Sequence, residues 1–266
     1  MFFMMFRMYS LHTFSAVIYP PFDEENAKTK EYKKGGYPTI IYVYGGPHVQ
    51  LITNSWARVT GNSRAQMWRT MGFTVATIDS RGSNHRGLAS EGRIKYRMGQ
   101  IEMQDQVKLV EYLVDRGLTD PKRVGITGWS YGGYMSLMAM CQCPNVFVTG
   151  IAGAPVTMWE LYDTGYTERY MGTPQKHPDG YKDGSVLKYV GNFPEEENRL
   201  VIVHGLGDEN VHFYHTSKLI KALVDSSKPY VLKIYPGERH GIRHWNNLVY
   251  SEKFMVEHFR KMLCTN

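Results

Sequence analysis

The chain has 266 residues, of which 42% are hydrophobic and 21% are charged, as is ordinary for a globular protein. This length suits one large α/β domain, and the apolar content excludes disorder for the bulk of the chain. The formal net charge is +6, but Lys and Arg are scattered along the sequence. Because a nucleic-acid binder concentrates its basic residues on one face, nucleic-acid binding is not expected.

The three cysteines indicate a reducing compartment. The chain has only three, an odd number: Cys141, Cys143 and Cys264. So small and odd a number argues against a disulfide framework. The first two do not have the C-x-x-C spacing of a metal or redox motif. No Asn-x-Ser/Thr glycosylation site occurs in the sequence. We therefore expect a cytoplasmic protein with free thiols.

The N-terminal residues do not resemble a targeting or membrane segment. Met1–Phe6 are apolar, but a transmembrane helix needs about 20 apolar residues and a signal peptide an apolar region of about 7–15. Arg7 interrupts the run too early for either. We expect no membrane association, and residues 1–12 form a segment of unclear role.

From residue 13 onward, apolar strand-like runs alternate with helix-like segments. The predicted strands are Thr13–Tyr19, Thr39–Tyr44, Phe73–Ile78, Arg123–Thr127, Phe147–Ala152, Leu200–Val203 and Tyr230–Ile234. The predicted helices are Ser63–Met71, Ile101–Leu113, Gly132–Met140, Val211–Val224 and Trp245–Met262, and the polar stretch Phe22–Tyr37 is predicted to be a loop. This alternation predicts a mostly parallel, doubly wound sheet within one domain, residues 13–266.

Residues 128–132 read Gly-Trp-Ser-Tyr-Gly, a G-x-S-x-G motif. A predicted strand precedes the motif and a predicted helix follows it, which is the setting of the nucleophile elbow of an α/β-hydrolase. The turn is so tight that a Cβ at the flanking positions would collide, which explains the glycines. We predict an α/β-hydrolase fold with Ser130 as the nucleophile.

A serine hydroxyl needs a base to take its proton, and in α/β-hydrolases the chain order is serine, acid, histidine. Asp208 follows the predicted strand Leu200–Val203, and His240 lies in the loop after the strand Tyr230–Ile234. We predict that Asp208 orients the imidazole and that His240 shuttles the proton.

Other histidines are weaker candidates for the base. His244 lies further from the strand end than His240, and His204 precedes the acid. His212 and His215 are three residues apart, a spacing that could suggest a metal, but no matching set of ligands accompanies them. We interpret all four as structural or solvated and expect no metal site.

The oxyanion of the reaction needs two hydrogen-bond donors. The backbone N–H of Tyr131, directly after the nucleophile, is one expected donor. The other usually comes from the loop after an early strand, here Tyr44–Pro47. Pro47 has no N–H, so the hydroxyl of Tyr44 is the predicted second donor; packing of Tyr44 on the core is the alternative.

Several stretches resemble the prolyl oligopeptidase family: Tyr44–Pro47, Gly128–Gly133, Gly207–Phe213 and Glu238–His240. Two stretches, Gly153–Thr157 and Tyr162–Met171, resemble its dipeptidyl peptidase IV branch, and two others, Met98–Val107 and Asp208–Tyr214, are most similar to the cytosolic members of that branch. The resemblance runs from about Tyr9 to Leu263. It implies a peptidase that needs no cofactor and acts on peptides with proline at the penultimate position.

The resemblance also implies a role for each site residue. Ser130, Asp208 and His240 match the catalytic triad, and Tyr44 matches the tyrosine that completes the oxyanion hole. Asn210 matches the side chain that holds a carbonyl group of the substrate backbone. The walls of the proline pocket are matched by Tyr131, Val156, Trp159, Tyr162, Tyr166 and Val211.

Three of the pocket residues have helical spacing. Trp159, Tyr162 and Tyr166 lie at i, i+3 and i+7, which predicts one face of a helix. Spacing alone would indicate core packing, whereas the resemblance favours the pocket. An aromatic box suits a pyrrolidine ring, which is apolar and has no amide N–H to satisfy.

The chain also departs from the family pattern. Family members carry a β-propeller before the hydrolase domain, and nothing in this sequence resembles it or the paired glutamates and arginine that bind a substrate's amino terminus. Three hypotheses follow: a post-proline serine peptidase acting through an acyl-enzyme, a non-catalytic interaction or homodimerisation fragment that uses Trp245–Met262, or an esterase or acylaminoacyl peptidase-like hydrolase.

Overall fold

The computed structural model describes residues 2–9, 12–21, 34–53, 55 and 62–265. The strands are β1 (Phe2–Tyr9), β2 (His12–Tyr19), β3 (Tyr37–Tyr42), β4 (Thr74–Ile78), β5 (Thr119–Trp129), β6 (Thr149–Gly153), β7 (Leu200–Gly205) and β8 (Val231–Tyr235). The helices are α1 (Ser63–Thr70), α2 (Leu88–Glu91), α3 (Ile101–Asp115), α4 (Tyr131–Gln142), α5 (Thr164–Met171), α6 (Pro178–Gly184), α7 (Tyr214–Asp225) and α8 (Trp245–Cys264). Short 3₁₀ segments span Gly92–Ile94, Trp159–Leu161 and Val186–Asn192.

These strands form one sheet in the order β1-β2-β4-β3-β5-β6-β7-β8. The pairs from β4 to β8 are parallel, and β1 and β2 are added at one edge as antiparallel strands. After β3 the chain passes through α1 to β4 and then returns through α3 to β5, on the other side of β3. Ligands of such sheets bind outside the carboxyl ends of the strands at this reversal. The loops after β3 and β5 are therefore the expected position of a site.

Side chains of the central strands alternate between two apolar layers, one on each face of the sheet. In β3, Ile41 packs into the layer beneath α3 and α4, whereas Ile40 packs into the layer formed with α1 and α8. In that second layer Phe259 meets Trp68 edge to face, with 5.8 Å between the ring centroids. Burial on both faces explains why the strands read as continuous apolar runs.

The predicted α/β-hydrolase fold with a mostly parallel sheet is confirmed, and every strand of the described ranges belongs to this sheet. Some bounds differ: β5 begins at Thr119 rather than Arg123, and α7 begins at Tyr214 rather than Val211. Within the predicted loop Phe22–Tyr37, residues 22–33 lie outside the described residues, and Tyr37 already begins β3. β1 was not predicted; it pairs with β2.

The part of the chain that the structure describes contains no membrane-spanning helix. None of its helices is both long enough and apolar enough to cross a bilayer.

Candidate active site

Ser130 lies at a sharp turn between β5 and α4. Its backbone angles, φ 60° and ψ −116°, are ones that L-residues rarely adopt. Its N–H donates to the carbonyl oxygen of Gly153 in β6 at 2.9 Å. A Cβ on Gly128 or Gly132 would lie 2.1 or 2.2 Å from the carbonyl oxygen of Val43, so only glycine fits at either position. The turn holds the half-buried serine at the carboxyl edge of the sheet.

Asp208 lies just past β7, and its buried carboxylate is surrounded by hydrogen-bond donors. Oδ1 accepts the backbone N–H groups of Asn210 and Val211, each at 2.9 Å. Oδ2 accepts from Nδ1 of His240 at 2.8 Å and from Nε2 of His204 at 3.1 Å. Burial by itself raises the pKa of Asp208, but the hydrogen bonds from both histidines outweigh it and hold this pKa well below its ordinary value. Asp208 is therefore ionised at neutral pH.

His240 is held beside the serine turn by its own backbone. The indole N–H of Trp129, the residue before Ser130, donates to the carbonyl oxygen of His240. Because Nδ1 of His240 is bonded to Asp208, Nε2 is the ring nitrogen left for the serine hydroxyl. The structure thus joins His240 to Asp208 and holds this pair, through Trp129, next to the turn that carries Ser130.

Glu238 anchors the loop that carries His240. Its side chain is buried and accepts the backbone N–H groups of Arg243 and His244, at 2.9 and 3.1 Å, and the amide of Asn247 at 2.8 Å. Burial alone would raise the pKa of Glu238, but these donors lower it to about 2. The carbonyl oxygen of Glu238 also accepts from Gly207 at 2.9 Å, which fastens this loop to the one that bears Asp208.

The two residues predicted to supply the oxyanion donors are neighbours. The rings of Tyr44 and Tyr131 have centroids 5.9 Å apart. Burial, reinforced by Tyr162 and Tyr170, raises the pKa of Tyr44, so its phenol stays protonated and remains a donor at neutral pH. The backbone N–H of Tyr131 lies at the first position of α4, next to Ser130.

The predicted pocket residues gather around one aromatic cluster. Trp159 stacks on Tyr166 with centroids 6.2 Å apart, and Tyr131 lies 5.4 Å from Trp159. Val156 and Val211 are buried at 2% and 0% exposure and belong to the same apolar layer as Trp159.

The predicted helical stripe is wrong as secondary structure. Trp159 lies in the 3₁₀ segment, Tyr162 has extended backbone angles, and only Tyr166 belongs to α5. The break is made by Asp163, which caps α5 by accepting the N–H of Tyr166 at 2.8 Å. The three rings nevertheless remain in contact: the centroid of Tyr162 lies 6.3 Å from that of Trp159 and 5.3 Å from that of Tyr166.

Asn210 is bound to this cluster. The hydroxyl of Tyr162 donates to Oδ1 of Asn210 at 2.6 Å. The amide oxygen is thereby engaged, and Nδ2 is the donor group of this exposed side chain. An open cleft of about 430 Å³ lies beside both residues.

The other histidines do not compete for the base position. His244 bonds Glu238 through Nδ1 at 2.9 Å instead of Asp208. His215 is buried and accepts from the backbone of Thr157 at 3.1 Å, whereas His212 is exposed. Within the described ranges, no three His, Cys, Asp or Glu side chains are grouped so that they could hold a metal ion.

Sequence reasoning underrated His204 and passed over Trp129 and Glu238. Fully buried His204 bonds Thr216 through Nδ1 at 2.7 Å, and its Nε2 lies 2.8 Å from the carbonyl oxygen of Val211 and 3.1 Å from Oδ2 of Asp208. Proximity in sequence could have signalled all three, since each lies within four residues of a proposed triad member. Only the contacts, however, distinguish them from packing residues.

The fold and the serine elbow together define the chain as an α/β-hydrolase of the serine hydrolase class. Residues 59–265 match the prolyl oligopeptidase family. The chain belongs to this family, as its motifs predicted.

Relatives of known structure or name agree with the predicted branch. The chain is 51% identical to human dipeptidyl peptidase 8 over 232 residues, which cover 87% of this chain and 25% of the human protein. It is 36% identical to dipeptidyl peptidase 4 of Sus scrofa over 252 residues, covering 92% of this chain and 30% of that protein. A solved chain from Bacteroides ovatus, described as a dipeptidyl aminopeptidase IV, has a TM-score of 0.86 and 34% identity, covering 95% of this chain and 34% of that one. The chain thus spans a quarter to a third of the length of these relatives.

Proposed function

We propose that this chain is a serine peptidase that cleaves after a penultimate proline and releases dipeptides through an acyl-enzyme. One observation carries the proposal: a strained serine elbow is joined through Trp129 to a histidine that Asp208 orients, with an aromatic cluster beside it. The similarity of the chain to dipeptidyl peptidases supports the substrate class.

The reaction follows from the proton positions. Nε2 of His240 takes the proton of Ser130 as Oγ attacks the carbonyl carbon of the proline residue. The tetrahedral oxyanion is stabilised by the N–H of Tyr131 and the hydroxyl of Tyr44. The C–N bond then breaks, and His240 returns its proton to the leaving amine. A water molecule activated by His240 attacks the acyl-enzyme, and the dipeptide leaves as a carboxylate while Ser130 regains its proton.

Proline specificity is proposed to come from the aromatic cluster. A pyrrolidine ring has no N–H to satisfy, so it fits walls without polar partners, here Val156, Val211 and the face of Tyr166. Nδ2 of Asn210 is suited to a carbonyl oxygen of the substrate, because Tyr162 already engages the amide oxygen. Such a site favours a ring at this position over a flexible side chain.

The test uses the 266-residue chain with Gly-Pro-p-nitroanilide, Gly-Ala-p-nitroanilide and N-acetyl-Gly-Pro-p-nitroanilide. We expect turnover of the first, at least tenfold slower turnover of the second, and a further loss with the blocked amino group. A fluorophosphonate probe should label the wild type and not S130A, which should lose about 10⁴-fold or more in kcat. Folded wild type that is neither labelled nor active contradicts the proposal, and equal rates with the acetylated substrate favour the acylaminoacyl peptidase alternative.

We also propose that α8 contributes to a homodimer. Trp245, Val249 and Tyr250 lie in its first half and are 73%, 46% and 55% exposed. Exposed apolar side chains on one helix are typical of a protein interface. Sedimentation velocity at several concentrations should show a dimer for the wild type and a monomer for W245E; a wild type that is monomeric at all concentrations contradicts this part of the proposal.

A cytoplasmic location is proposed from the thiols. Cys141, Cys143 and Cys264 are all unpaired, as expected in a reducing compartment. Fractionation of cells that produce the chain, followed by detection of a C-terminal tag, tests this location. Recovery in a secreted or membrane fraction would contradict it.

A further inference from the structure

Glu102 is a buried acid that the mechanism above does not use. It lies in the first turn of α3, and its exposure is 0%. Both carboxylate oxygens are 3.0 Å from the backbone N–H of Gly99. Oε1 also accepts the phenol of Tyr131 at 2.6 Å. The charge therefore has two donors, one of which belongs to the proposed active site.

Tyr131 links that contact to both halves of the proposed site. Its backbone N–H is the oxyanion donor next to the nucleophile. Its ring lies between Tyr44 and Trp159, with centroids 5.9 and 5.4 Å away, and meets Tyr134 edge to face at 5.4 Å. Because the ring is rigid and its hydroxyl is held at the far end, the carboxylate fixes the orientation of the whole residue.

We infer that Glu102 is a positioning residue: its carboxylate anchors Tyr131, and through Tyr131 it sets the wall of the proline pocket and the oxyanion donor. This inference rests on the proposed function. Glu102 touches neither substrate nor the reacting atoms, so it acts through Tyr131. The anchor is strongest when the carboxylate is charged, because a hydrogen bond to an ionised acceptor is stronger than one to a neutral acceptor.

The surroundings of Glu102 make that charge sensitive to pH. Burial raises the pKa of Glu102 to about 7, although the hydrogen bonds from Gly99 and Tyr131 oppose the rise. Asp105, one helical turn along α3, raises it further, and Asp105 is itself paired with Arg81 at 2.7 Å.

Among the described residues, three phenols also interact electrostatically with Glu102. Tyr131 and Tyr134 of α4 and Tyr166 of α5 all have their pKa raised by burial, with the charge of Glu102 adding to the rise. They remain neutral across the neutral range, so within this cluster Glu102 is the group that titrates near pH 7. Protonation below that pH weakens the anchor on Tyr131.

The test compares wild type, E102Q, Y131F and the double variant on Gly-Pro-p-nitroanilide from pH 5.5 to 8.5. Glutamine keeps the shape and a neutral acceptor, so we expect kcat/KM of E102Q to be roughly five- to tenfold below wild type at pH 8 and within twofold at pH 5.5. E102Q should cause no further loss when Tyr131 is already phenylalanine. E111Q, an exposed position on the same helix, is the matched control and should follow wild type at every pH.

A second readout does not need turnover. A buried acid with a raised pKa holds its proton more tightly in the folded state than in the unfolded state. The free energy of unfolding of wild type should therefore fall relative to that of E102Q as the pH rises from about 5 to 8. The urea midpoint of wild type should drop against that of E102Q over this range, and midpoints that move in parallel would overturn the ionisation step.

The kinetic outcomes separate the two proposals. Two outcomes would overturn the role of Glu102 and leave the proposed function intact. In one, wild type is active but the ratio of its kcat/KM to that of E102Q does not change with pH. In the other, E102Q lowers kcat/KM as much in the Y131F background as in wild type. A folded wild type without turnover refutes the proposed function, and the positioning role fails with it.

Discussion

Nδ1 of His240 donates to Oδ2 of Asp208 at 2.8 Å, and the same oxygen accepts a second imidazole, that of His204. Four donors in total surround this carboxylate, which therefore stays ionised and cannot rotate freely. The carboxylate can consequently hold the tautomer of His240 in which Nε2 is free to accept a proton.

Removal of the charge at Asp208 should abolish most of the activity. We expect D208N to lower kcat by about 10⁴-fold, because an amide no longer enforces the required tautomer of His240. Steady-state kinetics with Gly-Pro-p-nitroanilide measure the effect. D225N, which changes an exposed aspartate paired with Lys221, is the control and should retain wild-type rates. A D208N enzyme within tenfold of wild type would exclude Asp208 from the triad.

The buried His204 should affect activity through its contact with Asp208. H204F removes one donor from the carboxylate, and a hydrogen bond to a charged group contributes about 1.5–3 kcal/mol, so kcat/KM should fall roughly 10- to 100-fold. H204Q can still donate to Asp208 and should recover part of the loss. If kcat/KM falls equally in both variants and circular dichroism shows an intact fold, His204 acts only through packing.

Loss of the Trp129 contact should lower activity less than loss of the His204 contact. W129F keeps an aromatic ring but loses the indole N–H that holds the carbonyl oxygen of His240. One neutral hydrogen bond contributes about 1 kcal/mol, so kcat should fall about fivefold while KM changes little. Pre-steady-state measurement of acylation locates the loss in the step that His240 serves. An unchanged acylation rate in W129F would show that this hydrogen bond does not contribute to catalysis.

The Tyr44 hydroxyl is predicted to donate to the oxyanion. Y44F should lower kcat by about 10²–10³-fold with little change in KM, because the donor acts on charge that develops in the transition state. Y170F removes a nearby phenol without a proposed role and should behave as wild type. A Y44F variant with a raised KM and an unchanged kcat would indicate packing instead.

A buried histidine far from the site should control acid stability. His258 bonds Thr149 at 2.8 Å, and burial lowers its pKa to about 4. Its folded-state pKa is below the unfolded value of about 6.5, so the stability it contributes is present above pH 6.5 and is lost as pH falls toward 4, by about 3 kcal/mol at most.

H258Q provides the measurement of that loss. Glutamine can keep the bond to Thr149 but does not titrate, so the difference in unfolding free energy between wild type and H258Q should shrink as the pH falls from 7 to 4.5. Urea denaturation at four pH values gives the curve. A difference that stays constant would show that His258 titrates normally.

Much of the fold could be predicted because its signals are local. Continuous apolar runs such as Leu200–Val203 mark strands buried on both faces, and the sheet confirms them. The helical stripe through Trp159 was wrong because a single capping side chain, Asp163, ends one segment and begins another, and periodicity does not detect such a break.

The sequence by itself determined the serine elbow and the family, because a turn this tight admits only glycine at Gly128 and Gly132 and so leaves its mark in contiguous residues. The sequence favoured His240 over His244, but only the tertiary structure shows its bond to Asp208 and the bond of Glu102 to Tyr131. Those contacts join loops and helices that are distant along the chain, and their partners are selected by how the layers pack against the sheet, which no local pattern records.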